Sequence, residues 1–413
     1  MFIIQTGVQA FPHRLSWTTP NPRLLLVSKS PRFGDTWASV LLDLLRGIAA
    51  LMVLGDHWRN FFFVDFPEVR VGHRWALIPA YIVTTAGHQA VVIFFLLSGL
   101  LISTSVFRML RANQWTWRVY ATHRLLRLWI VLVPGLLLCT LWDGLGVCLH
   151  VTRALYFGNA ANHLMHDVAY QLKPSYFFGN LFFLQGKSVP TFGSDTALWS
   201  LANEFWYYAL FPLALVTMWK GQRPKTRVFC AFLFLMICWW LRGSFLPLFP
   251  IWLMGAAVSQ LPRLPVKTPI RWLLVGLYVP LVLTFAIFRG AFSLLLSDYL
   301  LTVATATLLW TVMSATSEAP RNRTVRAIRY LAGGSFSLYV LHMPIFAILA
   351  AYFVGNARWQ PTVVHILAAG TILACTIIYC FIVAHFTEFR TDAVRRWLEL
   401  RYPSTTRQQK TVP

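Results

Sequence analysis

Ten apolar stretches, joined by loops whose basic residues alternate between many and few, constrain the fold of this chain more than any other feature. They fall near 39–62, 87–107, 125–149, 199–219, 227–242, 244–260, 272–289, 294–314, 331–354 and 363–386. Most approach the ~20 residues that a helix needs to cross a hydrocarbon core. Inside lipid, only helices and closed barrels satisfy every backbone polar group. The fifth and sixth stretches are short and separated only by Arg242, Gly243 and Ser244, so one re-entrant hairpin is the alternative for that pair. The composition agrees: 12% of the residues are charged and 57% hydrophobic, where a soluble domain carries about 25% charged residues. The predicted fold is an all-α polytopic membrane protein with about ten transmembrane helices.

The loops fix the orientation. Lys and Arg number four in 1–38, five in 108–127, four in 220–227, three in 263–271, four in 321–329 and six in 390–413, a total of 26. The alternate loops hold nine: three in 59–75, three in 151–197, and Arg242, Arg289 and Arg358. By the positive-inside rule both termini are cytoplasmic. The net charge of +22 would point a soluble chain toward nucleic acid. Here it marks topology, with anionic membrane lipids as its partner and no nucleic acid. Residues 1–38 are expected to form a basic cytoplasmic leader, 39–388 the membrane domain and 389–413 a basic tail too short for a second folded domain. The leader lacks the charged, apolar, small-residue order of a cleavable signal peptide. No repeat of 20–50 residues is visible.

Ionisable residues inside spans are costly and therefore informative. Arg46 and His57 both lie in the first span. Eleven helical residues make about three turns, roughly 16 Å, and place both on one face at two depths. The bland reading is an arginine that snorkels to the headgroups and a histidine hydrogen-bonded inside the bundle. Asp43 lies one turn before Arg46 and can pair with it. Asp56 projects about 100° away from its neighbour His57. Glu204 sits about 8 Å below the outer end of the fourth span, a depth similar to that of His57. A carboxylate that orients an imidazole supports a histidine base. Sequence gives depth and not rotation, so Glu204 paired with another basic group for stability stays open.

Arg124 and Arg127 share a face where the third span begins, and two guanidiniums there could grip phosphates; plain topology signalling also accounts for them. Ser98 and Gly99 permit a close helix approach. His342 lies about mid-membrane, and Pro344 frees a backbone carbonyl near it. His342 therefore either donates to a carbonyl or lines a cavity. The longest loop, 151–197, carries His163, His166 and Asp167, with His150 just before it, and long loops often shape substrate sites. The six cysteines fall in apolar stretches without metal or redox spacing and read as core residues.

Arginines thus collect at the cytoplasmic side, where a phosphorylated donor would dock, and a histidine and a carboxylate collect at the outer side. That polarity suits group transfer across or within a bilayer. A transporter would also bury ionisable groups, but it would usually show two related halves with broken helices, and none is visible. A scaffold has no need of a histidine and a glutamate matched in depth.

Together these segments resemble the acyltransferase-3 family of integral membrane acyltransferases. The resemblance rests on Arg46 and His57 in the first span, and on the run Phe94–Ile102 with Leu100 in place of the family's Phe. It continues with Arg124 and Arg127 followed by Pro134, with Leu198–Leu201, Glu204, Tyr208 and Pro212, and with Ser335 to Pro344. It covers about 39–390. It implies an acyl-CoA co-substrate, usually acetyl-CoA, no permanently bound cofactor or metal, and O-acylation of a sugar or other hydroxyl in a bacterial cytoplasmic membrane. Acceptors across the family include O-antigen, exopolysaccharide, glucan, lipid-linked sugar, Nod-factor oligosaccharide and macrolide. His57 and Glu204 are the implied catalytic pair. Arg46, Asp43, Arg124, Arg127, Ser98, Trp199, Ser200, Tyr339 and His342 are the implied donor- or substrate-binding residues. The chain departs from the family at Phe205, where many members have a second Glu, and at His88, where small or apolar residues are usual. Its leader is longer than usual, and the C-terminal hydrolase-like domain of some members is not expected from its 25-residue tail.

Overall fold

Each of the ten apolar stretches coils into a helix. The computed structural model describes residues 33–72, 74–150, 153–158, 167–243, 245–264, 266–288 and 293–401, so most of the leader, His163 and His166 lie outside it. The helices are α1 (Trp37–Phe62), α2 (Ile78–Val83), α3 (Gly87–Arg111), α4 (Trp117–Cys148), α5 (Arg153–Tyr156), α6 (Val168–Gln171), α7 (Pro174–Leu181) and α8 (Leu198–Met218). They continue with α9 (Pro224–Leu241), α10 (Phe249–Val258), α11 (Thr268–Ile287), α12 (Leu294–Val312), α13 (Arg323–Gly333), α14 (Ser335–Phe353), α15 (Val363–Phe386) and α16 (Thr391–Arg401). Among the described residues there is no strand, only isolated bridges.

Eight helices are long and apolar enough to cross a membrane by length and composition. Two of the ten predicted spans fall short of that measure for different reasons. The middle of α8 is diluted by Asn203, Glu204, Tyr207 and Tyr208. The sixth stretch makes only a short apolar helix, Leu246–Val258. Local chemistry sets the boundaries. Thr36, Ser293, Asn322 and Thr362 start α1, α12, α13 and α15 by accepting a first-turn N–H. Proline occupies the first turn of α7, α9 and α11, where its missing donor costs nothing.

α3 and α14 are the most buried long helices, and α9, α11 and α15 are peripheral. α3 packs on α1, α10 and α12; α14 packs on α1, α4 and α15; α8 packs on α3 and α9. The first helix is therefore wedged between the two central ones. Glycine makes the tightest of these crossings possible. A Cβ on Gly99 would stand 2.0 Å from the Trp252 carbonyl oxygen, and one on Gly255 would stand 2.0 Å from that of Leu96. The outward faces are apolar, with Phe232, Leu235, Trp239, Leu273, Leu277 and Leu367 all exposed, as a lipid-facing belt requires.

Candidate active site

Ile48 and Leu51 mark the outward side of α1. At 100° per residue, His57 projects about 180° from Ile48 and about 20° from Arg46. Both polar side chains therefore point into the bundle. There His57 meets α14: its Nδ1 is 2.7 Å from Nε2 of His342. The other ring nitrogen of His342, Nδ1, is 2.8 Å from the Leu338 carbonyl oxygen. A carbonyl only accepts, so Nδ1 of His342 carries the proton. In neutral rings Nε2 of His342 is then bare and accepts from the Nδ1–H of His57. Two hydrogen bonds thus assign both tautomers and leave Nε2 of His57 with an uncommitted lone pair. The imidazole of His342 lies between two rings of its own helix, Tyr339 at 6.4 Å and Phe346 at 5.7 Å between centroids, both edge-on. His342 is fully buried, whereas His57 keeps part of its surface accessible.

A cavity of about 610 Å³ lies between α1, α3, α4, α8, α14 and α16. One end is predominantly cationic, with the guanidiniums of Arg46, Arg124, Arg127 and Arg395 in its wall beside His123, Glu388 and Asp392; Arg395 pairs with Asp392 at 3.1 Å. Two of these guanidiniums hold unspent donors. Nε of Arg46 and Nε of Arg124 are buried without a partner, although Nη2 of Arg46 reaches Asp43 at 3.2 Å and the Arg124 guanidinium lies 5.5 Å from the Tyr120 ring. A buried unmade hydrogen bond costs about 1–3 kcal/mol, so an anion placed here would recover it.

The other end is polar but uncharged apart from Glu204. Trp252 Nε1 donates to Ser98 Oγ at 3.2 Å, Ser98 Oγ donates to the Tyr208 hydroxyl at 3.2 Å, and Tyr208 donates to Glu204 through a short hydrogen bond. Beside this chain, Ser200 Oγ is 2.5 Å from the Tyr339 hydroxyl, which also donates to the Ala197 carbonyl at 3.0 Å. Ser98, Ser200, Glu204, Tyr208 and Tyr339 all line the cavity.

The fold brings most of the sequence-derived residues together and separates two of them. Arg46, Arg124, Arg127, Ser98, Ser200, Glu204 and Tyr339 share the cavity. Glu204 bonds to Tyr208, while His57 bonds to His342. The depth match expected for Glu204 and His57 does not become a hydrogen bond, because the rotation of α8 turns the carboxylate to the residue one turn along its own helix. Trp199 packs on Phe95, which lines the cavity, and stands outside the wall itself. Neither histidine is in the wall. Tyr339, which lines the void, precedes His342 by one turn of α14 and stands edge-on to it at 6.4 Å.

Several contributing residues were not singled out in the sequence. The segment 388–401 walls the cationic end. Glu388 accepts from the N–H (2.9 Å) and Oγ (3.0 Å) of Ser337, and α16 docks on α4 through His123 and Glu399 at 3.0 Å. The i,i+4 spacing of Arg395 and Glu399 was the available signal for that helix. At the opposite end, fully buried Asp143 accepts from both Ser194 N (2.7 Å) and Ser194 Oγ (2.8 Å) and from Tyr156 (3.2 Å). It thereby ties down the loop that leads to Ala197. Asp195 in this loop has its carboxyl pushed well above the usual range, chiefly by burial and then by Asp143. His88 is satisfied by buried Asp298 at 2.8 Å. Among the described residues, no group of three or more His, Cys, Asp or Glu side chains is placed to hold a metal ion.

The sequence matches the family model for an acyltransferase domain, acyltransferase-3, over residues 40–381. A search of curated proteins and of solved structures finds no match. The matched segment runs from the first turn of α1 almost to the end of α15 and takes in His57, His342 and all the cavity residues except those of the 388–401 segment. The chain is a multi-pass membrane protein, and it belongs to the acyltransferase-3 family.

Proposed function

We propose that this acyltransferase moves an acetyl group from acetyl-CoA to a hydroxyl of a carbohydrate or lipid-linked glycan, with His57 as general base. The observation that carries this reading is the ordered pair of imidazoles, which leaves Nε2 of His57 free to take a proton. With the termini cytoplasmic, the cationic end of the cavity faces the cell interior. The phosphates of the donor would meet Arg46, Arg124, Arg127 and Arg395 there, and the unpartnered Nε groups of Arg46 and Arg124 suit phosphate oxygens. The pantetheine arm would run past Ser98, Glu204 and Tyr208 toward Tyr339.

The chemistry follows from the lone pair. Nε2 of His57 takes the hydroxyl proton as the acceptor oxygen attacks the thioester carbon. Collapse of the tetrahedral adduct breaks the C–S bond, and the thiolate takes the same proton back from His57. His342 anchors the ring and, by accepting from Nδ1–H, raises the basicity of Nε2 and favours the imidazolium formed in the transition state. In this scheme Asp43 orients Arg46, and Glu204 acts through Tyr208 on the donor channel.

The test is thiol release and acetyl transfer by purified protein in detergent, with no gradient across a membrane. The parent should turn over, and His57→Ala should lose about 10²–10⁴-fold, the usual value of a positioned base. Turnover by a folded His57→Ala protein at the parental rate would end the assignment. Activity without a gradient also separates this reading from transport.

A further inference from the structure

We propose that Phe346, backed by Phe61, is the stop that limits the length of the acyl group this protein accepts. The inference rests on the proposed acyl-CoA donor and adds a specificity determinant to it. Along α14 the order is Tyr339, His342, Phe346. Tyr339 belongs to the cavity wall, His342 and its partner His57 do not, and Phe346 lies one turn further on. A thioester that enters from the cavity therefore passes Tyr339 before its carbonyl reaches the imidazole pair. The chain beyond that carbonyl carbon, drawn out from the sulfur, points at the next turn.

That turn is closed from both sides. On α14 the residue four past His342 is Phe346. On α1 the residue four past His57 is Phe61. The two rings meet at 6.2 Å between centroids, and Phe62 reaches Phe346 at 5.9 Å. All three phenyl groups have no exposed surface (0%). Phe346 also stands edge-on to His342 at 5.7 Å, so the phenyl layer begins directly beyond the imidazoles. One helical turn is about 5.4 Å, so an acyl chain that extends past the imidazoles meets the phenyl layer within its first carbons. Interiors are close-packed, so extra methylenes would have to displace a ring.

The experiment measures thiol release by purified parent, Phe346→Leu and Phe346→Ala with acetyl-CoA and hexanoyl-CoA, using water and free glucose as hydroxyl sources. The parent should favour acetyl-CoA. The ratio of hexanoyl to acetyl turnover should rise about tenfold or more in Phe346→Ala, the scale at which single methylenes are discriminated, and by less in Phe346→Leu. A structural role alone would lower both donors together and leave the ratio fixed. If Phe346→Ala does not fold, Phe346→Leu decides. An unchanged ratio in the folded variant overturns the inference. A parent that releases thiol from neither donor overturns the donor reading on which it rests, and the two failures are distinguishable.

Discussion

Replacement of Gly99 by alanine should damage both the fold and the cavity. The added methyl would stand 2.0 Å from the Trp252 carbonyl oxygen, 2.9 Å from its carbon and 3.2 Å from the backbone nitrogen of Ala256. All three are backbone atoms of α10, so no side chain can rotate away. Ordinary C···O contacts begin near 3.3 Å, so α3 and α10 must part by about 1.3 Å. The indole of Trp252 now donates to Ser98 Oγ at 3.2 Å, and that separation takes the pair past hydrogen-bonding range. A fully buried donor is then left unsatisfied, at a cost of about 1–3 kcal/mol. Overpacking adds about 1–3 kcal/mol, and the better helix propensity of alanine returns about 1 kcal/mol. The net loss is about 1–5 kcal/mol. The first link of the chain from Trp252 through Ser98 and Tyr208 to Glu204 is lost with it. Thermal unfolding in detergent, followed by tryptophan fluorescence, should show a lower midpoint for Gly99→Ala and for Gly255→Ala. Gly276→Ala is the control, since nothing lies within 4 Å of a Cβ built there. A Gly99→Ala protein as stable as Gly276→Ala would refute the packing argument.

Arg46→Lys keeps the charge and loses the fork that offers one nitrogen to Asp43 and holds another unpartnered at the cavity. The KM for acetyl-CoA should rise about tenfold or more, the loss of one charge-assisted hydrogen bond of about 1.5–3 kcal/mol; a parental KM would make Arg46 a mere anchor. Asp65 is held below the usual carboxylate range chiefly by its hydrogen bond from Arg358, at 2.8 Å, against the opposing effect of burial. A depressed folded value means that the pair stabilises the protein above the unfolded value of about 3.9 and that this is lost as pH falls through the folded one. Asp65→Asn should therefore cost about 0–1 kcal/mol at pH 7, small because the side chain is 45% exposed, and nothing once acid has protonated Asp65 in the parent. An equal gap between the two proteins at pH 7 and in strong acid, by unfolding midpoints, would contradict that sign.

The spans and the shared face within one helix were legible in the sequence, and the rotation of one helix against another was not. The apolar stretches, the loop charges and the shared face of Arg46 and His57 all follow from rise per residue and hydropathy, which are local. The partner of His57 is 285 positions away. It is chosen by how α1 seats between α3 and α14, which only the whole packing decides. The same limit explains Glu204, which α8 turns to Tyr208. The role of 388–401 escaped notice because its residues look like another basic end. Their effect comes from docking back onto α4 and α14, a contact with no periodic signal. Of the two alternatives the sequence left open for His342, the structure shows donation to a carbonyl, that of Leu338 and not the Val340 carbonyl that Pro344 frees.

The most direct test of the imidazole relay is a double-mutant cycle in thiol release with acetyl-CoA, using His57→Ala, His342→Ala and the double variant. Residues that act as one unit are not additive. His342→Ala should cost about 10²-fold or more, and the double variant should be no worse than His57→Ala alone. His342→Gln, whose amide oxygen can still accept from Nδ1–H of His57, should recover part of the rate. Losses that multiply in the double variant, or a His342→Ala protein at the parental rate, would contradict the relay.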